Sequence, residues 1–367
     1  MADSGPNWQG LLKWSLAHAD GTASSRNLSE EDRKWFMEAM QAQTVDVIKR
    51  MKEITIVMQT PEQVLEDHGV TSADIEDLLD ELQEHVESID MANDLNSIGG
   101  LVPLLGYLKN SHAGIRAKAA EVVTTIVQNN PRSQQLVMEA NGLELLMASF
   151  SLDPDVTVQT KALGALASLI RQNKPAFVAF RLANGYASLR DALNSDNVRF
   201  QRKALNLVHY LLQENCADCD VVTKLGFPRI MMHHLASSED AVVREAALRG
   251  LFELAQDKSG NCGLAEDREK LKQILQDRIN RISEMPLDDL GAAMEERHLV
   301  DSLWSVCFDE PSSLREKGLL FVPGDDAPVP DVASAMFEPP LRAWAAANPA
   351  TSDNSSTKKK ATPLLLG

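Results

Sequence analysis

Ile115-Arg-Ala-Lys-Ala-Ala120, Val158-Gln-Thr-Lys-Ala-Leu163, Phe200-Gln-Arg-Lys-Ala-Leu205 and Val243-Arg-Glu-Ala-Ala-Leu248 are versions of one phrase. Their alanines Ala119, Ala162, Ala204 and Ala247 fall 43, 42 and 43 residues apart. Before each phrase a glycine (Gly100, Gly142, Gly185, Gly226) precedes an apolar run. Counting from the alanine, positions +1, +4, +7 and +8 are apolar in every copy: Ala120, Val123, Ile126, Val127; Leu163, Leu166, Leu169, Ile170; Leu205, Val208, Leu211, Leu212; Leu248, Leu251, Leu254, Ala255. This spacing draws one stripe along a helix. A single unit has nothing to bury the stripe against, so neighbouring units must supply the other side of the core. The small alanine lets adjacent helices approach, and the glycine is expected to take positive φ between helices.

A period of this length is that of HEAT and armadillo units, so the expected fold is an all-α, armadillo-type helical-repeat solenoid with helical caps and flexible termini. The expected organisation is a flexible N-terminal segment over residues 1–28, capping helices over 29–98, four armadillo-like repeats over 99–260, further capping helices over 261–310, and a Pro-rich, largely disordered tail over 311–367. Helix starts are predicted at Ser29, at Thr60-Pro61 and at Thr71-Ser-Ala-Asp74, each with a capping residue followed by proline or early acids. Four cysteines in 367 residues fit a reducing compartment. Neither a bilayer-spanning run nor a secretory leader is recognisable, so a cytosolic monomer without membrane contact is expected.

The acidic balance is local. Residues 61–100 hold twelve Asp and Glu and no Lys or Arg, so this stretch carries most of the net charge of −17. Glu76, Asp77, Asp80, Glu81, Glu84 and Glu87 fill one helical face, read as a solvated cap face. Such a field repels phosphate backbones, so no nucleic-acid partner is expected. The nucleophile elbow, the phosphate-binding loop, the zinc-protease motif and the dinucleotide fingerprint are all absent. Cys216-Ala-Asp-Cys219 has zinc or redox spacing but lacks a second pair, and His233-His234 diverge by about 100° on a helix. No catalytic residue, metal or cofactor is expected.

Three segments carry a more specific signal: Asn7-Trp-Gln-Gly-Leu-Leu-Lys-Trp-Ser-Leu16, Glu87-Ser-Ile-Asp-Met-Ala-Asn-Asp94 and Ile126-Val-Gln-Asn-Asn-Pro-Arg-Ser-Gln134. Together they resemble the cytosolic armadillo-type nucleotide-exchange factors of the seventy-kilodalton heat-shock chaperone, and look closest to the plant members. The resemblance spans roughly residues 7–260. It implies a co-chaperone that clasps the second lobe of the chaperone's nucleotide-binding domain and promotes release of ADP and then of client. Armadillo adaptors that hold extended peptides are the alternative. They use ladders of Trp and Asn, whereas the matching positions here are Glu121, Gly164, Asn206, Arg249 and Thr125, Ser168, Tyr210, Glu253.

The partner-binding residues expected on this basis are Lys118, Lys161 and Lys203, which share one slot in three consecutive repeats, with Arg199 and Arg202 beside the third. Lys203 matches a basic position that contacts the chaperone in the family the chain resembles. Ala92 matches a small residue used there against the same surface, with a buried core alanine as the competing account. Trp8, Leu11, Leu12 and Trp14 are expected to form a client-mimicking segment, since chaperones of this class hold short peptides rich in Leu and aromatics.

Overall fold

The computed structural model describes residues 30–256, Leu264 and 266–320. Among the described residues there are helices and no strands. The chain divides into two units, 1–311 and 312–367. In the second, Ser313–Glu316 forms a single short helix.

The first unit opens with α1 (Glu30–Gln59), α2 (Glu62–Asp67) and α3 (Ser72–His85). Thr71 caps α3 as expected: its hydroxyl accepts from Asp74 N at 3.3 Å while its own N–H donates to the Asp74 carboxylate at 2.8 Å. Helix α2 starts one residue later than the sequence suggests, with Pro61 outside it. Three-helix units follow. They are α4 (Ile89–Ser97), α5 (Leu101–Gly106) and α6 (Ala113–Val127); then α7 (Pro131–Glu139), α8 (Gly142–Leu152) and α9 (Val156–Ile170). The next are α10 (Lys174–Leu182), α11 (Gly185–Leu193) and α12 (Val198–Glu214), then α13 (Cys219–Lys224), α14 (Phe227–Ser237) and α15 (Ala241–Gln256). After these come α16 (Arg268–Ser283), α17 (Leu287–Ala292) and α18 (Met294–Phe308).

The third helices stack. α6 packs on α9, α9 on α12 and α12 on α15, and the series continues into α3 at one end and α18 at the other. All four slot alanines are fully buried, as is every member of the apolar stripe except Ala255. Each large stripe residue contributes about 1.5–3 kcal/mol through burial, obtainable only when a neighbouring unit is present.

The glycines behave differently from expectation. Positive φ falls on Asn141 (57°), Asn184 (59°) and Gly226 (84°), the residue before each second helix, and in the first unit on Gly99 (82°), two residues before it. Gly100, Gly142 and Gly185 come one position later and are small because another helix lies against them. An added Cβ would meet Leu95 Cδ1 at 2.5 Å, Val137 Cγ1 at 2.4 Å and Phe180 Cε1 at 2.3 Å. In the fourth unit the alignment therefore shifts by one: Gly226 is the turn, and Phe227 takes the place of the close-packed glycine.

Buried polar groups join units where the stripe alone would leave register open. Asp218, fully buried, accepts from Tyr186 Oη at 2.7 Å and pairs with Arg181 at 2.5 Å. Burial, reinforced by this hydrogen bond, pushes the Tyr186 phenol far above its ordinary range. His234 lies buried with Nε2 2.9 Å from the Leu193 carbonyl, while His233 stays near Ser237, so the two rings serve different neighbours and form no chelate. Burial lowers the His234 pKa. Near the C-terminal end of the stack, Glu296 is 1 % exposed and receives Arg244 from α15 at 2.8 and 3.0 Å and Arg278 from α16 at 2.5 and 2.8 Å. Burial alone would raise the Glu296 carboxyl, but the hydrogen bonds from the two guanidiniums hold it below its ordinary value. Replacing Glu296 by Gln leaves two guanidiniums in the core without their charge, so we expect Glu296→Gln to cost about 3–5 kcal/mol. Chemical denaturation of the variant checks this, and a midpoint equal to the wild type's would show the triad to be dispensable.

Candidate partner-binding site

The lysine slot precedes each slot alanine by one residue and points back toward the previous third helix. Lys118 on α6 reaches Asp80 on α3, with Nζ 2.5 and 2.7 Å from the two carboxylate oxygens. Lys161 on α9 reaches Glu121 on α6 at 2.5 Å. Glu121 stands two residues after its slot alanine, so the rule is that slot −1 of one repeat pairs with slot +2 of the repeat before. The next rung should join Lys203 on α12 to slot +2 of α9, which is Gly164. A Cβ placed on Gly164 would lie 2.6 Å from Lys203 Nζ, so the ammonium rests on the glycine where a carboxylate stands in the rung before.

Lys203 is thus half-buried and, among the described residues, makes no ion pair. Burial lowers its pKa; Lys161 and Arg199 add to the shift, and Glu121 opposes it only in part. In Lys118 the Asp80 hydrogen bond raises the ammonium instead. Arg199, one turn before Lys203, is exposed and also has no acidic partner among the described residues. Arg202 is occupied: its guanidinium forks onto Asp240, with Nε 3.0 Å from Oδ1 and a second contact to Oδ2. Of the five cations expected in the basic column, three, Lys118, Lys161 and Arg202, are neutralised within the chain. Sequence spacing found the column, but the missing rung at Gly164 becomes visible only once slot −1 is known to face slot +2.

Ala92 lies on the buried face of α4 at 3 % exposure. It presents almost no surface, so the chain's own packing accounts for a small side chain there. Its neighbour Asn93 accepts a hydrogen bond from Ser133 Oγ at 3.0 Å, and Ser133 also receives Asn130 Nδ2 at 2.9 Å. Asn129 takes the left-handed turn at φ 53°, Asn130 caps α7, and Gln134 donates to the Ser168 and Arg171 carbonyls at 3.0 and 3.1 Å, closing the end of α9. Two of the three sequence signatures, Asp90-Met-Ala-Asn93 and Asn129-Asn-Pro-Arg-Ser-Gln134, are thus one bonded cluster that sets the first repeat on the second. At the position equivalent to Gln134 the next repeat has Phe177. There the end of α12 borders a cleft of about 420 Å³ lined by Phe177, Val178, Tyr210 and Asn215 among others, with Arg171 5.0 Å from the Tyr210 ring. Nothing in the sequence marked this cleft.

The acidic face of α3 is partly spent inside the chain: Asp80 on Lys118 and Glu81 on Arg50 at 2.7 and 2.8 Å. Cys219 is buried in α13, and no group of three or more His, Cys, Asp or Glu able to hold a metal is found among the described residues. No described helix is long and apolar enough to cross a membrane. Trp8, Leu11, Leu12 and Trp14 lie outside the described residues.

A family model described as "Nucleotide exchange factor Fes1" matches residues 8–95, and one described as "SIL1/FES1/HPBP1 C-terminal domain" matches residues 91–224. The Hsp70 nucleotide exchange factor FES1 of Gibberella zeae is 30 % identical over 49 % of this chain and 83 % of its own length. The chain belongs to the Fes1 family of nucleotide exchange factors. The FES1 of Yarrowia lipolytica is 31 % identical over 55 % of this chain and 69 % of its own, and Hsp70-binding protein 1 of Homo sapiens is 26 % identical over 83 % and 86 %. Among solved structures, a designed armadillo repeat protein in complex with a (KR)4 peptide superposes with TM-score 0.55 at 15 % identity, covering 70 % of this chain and 99 % of that one. That likeness concerns the fold alone. The second family segment, 91–224, contains Asn93, Asn130, Ser133 and Gln134 of the bonded cluster and the three ladder lysines.

The cluster yields a prediction. Ala92→Arg forces a long cation into a filled, buried position, and Ser133→Ala strands the Asn93 and Asn130 side chains. We expect the first to cost several kcal/mol and the second about 1–3 kcal/mol. Thermal melts read both, and an Ala92→Arg protein melting like the wild type would return Ala92 to the surface.

Proposed function

We propose that this chain is a co-chaperone that binds the nucleotide-binding domain of a cytosolic Hsp70, chiefly its second lobe, as a monomer, and speeds release of ADP and then of client. The observation that carries the proposal is the family match running from residue 8 to residue 224, joined to relatives whose names record Hsp70 binding and nucleotide exchange. The physical step is linkage. A partner that holds the opened, nucleotide-poor lobe arrangement better than the closed one weakens ADP binding by the same factor, and ATP in turn loosens the partner. Such a device needs rigid surface and no reacting group. The stacked third helices supply the surface, and no catalytic constellation is invoked.

In this proposal Lys203 and Arg199, the two cations without an internal acid, face the chaperone, with Lys118, Lys161 and Arg202 holding the surface around them. Ala92, buried on α4, acts through the packing of the first repeat. Residues 1–28, with Trp8, Leu11, Leu12 and Trp14, act as the client mimic. The helices over 29–98 and 261–310 cap the repeats.

Three measurements test it. Labelled ADP should leave purified Hsp70 faster when the protein is added, and Lys203→Glu should weaken complex formation roughly tenfold or more with melting curve and helical content unchanged. No acceleration at saturating protein would make the chain an armadillo scaffold for another partner. Deleting residues 1–25 should leave ADP release near the full-length rate and slow release of a bound client; a lower melting temperature with lost exchange would make that segment a structural cap.

A further inference from the structure

Each rung of the lysine ladder is closed by a carboxylate from the preceding helix until α12, where the acid position is Gly164. The vacancy has a cost on both sides. A glycine inside a helix is less favourable than alanine, and a half-buried ammonium left without a counter-charge is destabilised relative to its paired neighbours. The surrounding charges sharpen the point: Lys161 is turned toward Glu121, Arg199 is exposed one turn away, and no described carboxylate closes on Lys203. The chain has therefore left the last lysine rung without its acid, and the Lys203 ammonium rests on the α9 backbone at Gly164.

We propose that Gly164 holds this rung open for an acidic side chain of the partner protein, which enters over the α9 backbone and pairs with Lys203 and Arg199. The chemistry follows the filled rungs. Asp80 and Glu121 show that the slot takes a single carboxylate against a lysine Nζ. The incoming acid is the intermolecular equivalent of Glu121. Its recognition is selective because an internal acid at position 164 would satisfy Lys203 beforehand, whereas an uncharged side chain there would only narrow the approach. Gly164 is thus a specificity-determining position that never needs to touch the reacting nucleotide. The identity of the partner rests on the exchange-factor proposal, whereas the open rung stands on this chain's geometry.

The test is to fill the rung from within. Gly164→Glu supplies the carboxylate that Glu121 supplies to Lys161, and the atom in its way is the far end of a flexible lysine, so the fold should accept it. We expect a melting temperature at or above the wild type's, a Lys203 ammonium that titrates higher by NMR of 13C-labelled lysine, and at least tenfold weaker binding to the Hsp70 nucleotide-binding domain. Gly164→Gln, of equal size and no charge, should leave the Lys203 titration low. Its binding should fall less than that of Gly164→Glu. Should Gly164→Glu melt early, Gly164→Asp repeats the comparison with a shorter side chain.

Wild-type affinity in Gly164→Glu, or equal losses in the Glu and Gln variants, would overturn the carboxylate assignment. If the wild type fails to bind the chaperone at all, the exchange proposal falls, and an unchanged Lys203 titration in Gly164→Glu would separately overturn the open rung. Adding inorganic phosphate or ADP to the wild type alone should leave the Lys203 titration unmoved; a shift would make the rung a phosphate site instead.

Discussion

The structure depends on one constraint: a helical stripe at +1, +4, +7 and +8 that no single unit can bury. Leu163, Leu166, Leu169 and Ile170 leave water only because α9 lies between α6 and α12. Stacking is therefore the folding reaction itself, and the slot alanines set its spacing by letting the third helices approach closely. The same demand extends the stack past the four recognisable repeats, into α3 and α18, whose sequences lack the phrase but whose apolar faces meet the open ends. Glycines follow from it too. Gly142 and Gly185 are required by Val137 and Phe180 pressing against them rather than by backbone conformation.

Apolar stripes fix distance but are permissive about register, since one buried Leu substitutes readily for another. Polar links supply what the stripe lacks. Ser133 ties Asn93 of one unit to Asn130 of the next, His234 of α14 reaches the Leu193 carbonyl of α11, and Glu296 gathers Arg244 and Arg278 from two different helices. Each works only if units stand in one relative position, because a buried polar group without its partner costs about 1–3 kcal/mol, and more when charged. The residues that most resemble the family's sequence signature turn out to be such links.

Interior bonding of this kind narrows where a partner can act. Once Lys118, Lys161 and Arg202 are assigned to Asp80, Glu121 and Asp240, the basic face that looked uniform along the chain reduces to Lys203 and Arg199. Exposed ion pairs contribute little to stability, about 0–1 kcal/mol each, but they decide which charge is already satisfied and which is not. Function in such a scaffold resides in the unsatisfied remainder, and nucleotide exchange requires no more of it than a difference in affinity between two states of the partner.

How much was legible beforehand follows from the range of the interactions. Periodicity, the stripe, the Thr71 cap and the family segments are local or repeating, so the chain alone determined the all-α stacked-repeat fold, the family and the cationic column. What it left open shares a cause. The glycine shift in the fourth unit, the burial of Ala92, the pairing of three of five cations and the cleft beside Phe177 each depend on a contact about 40 residues distant in sequence or on a neighbour's shape. Gly164 shows the limit most plainly. In sequence it is a glycine inside a helix; only the tertiary structure puts Lys203 above it, because the facing of slot −1 on slot +2 is set by how two helices cross and not by anything written in either.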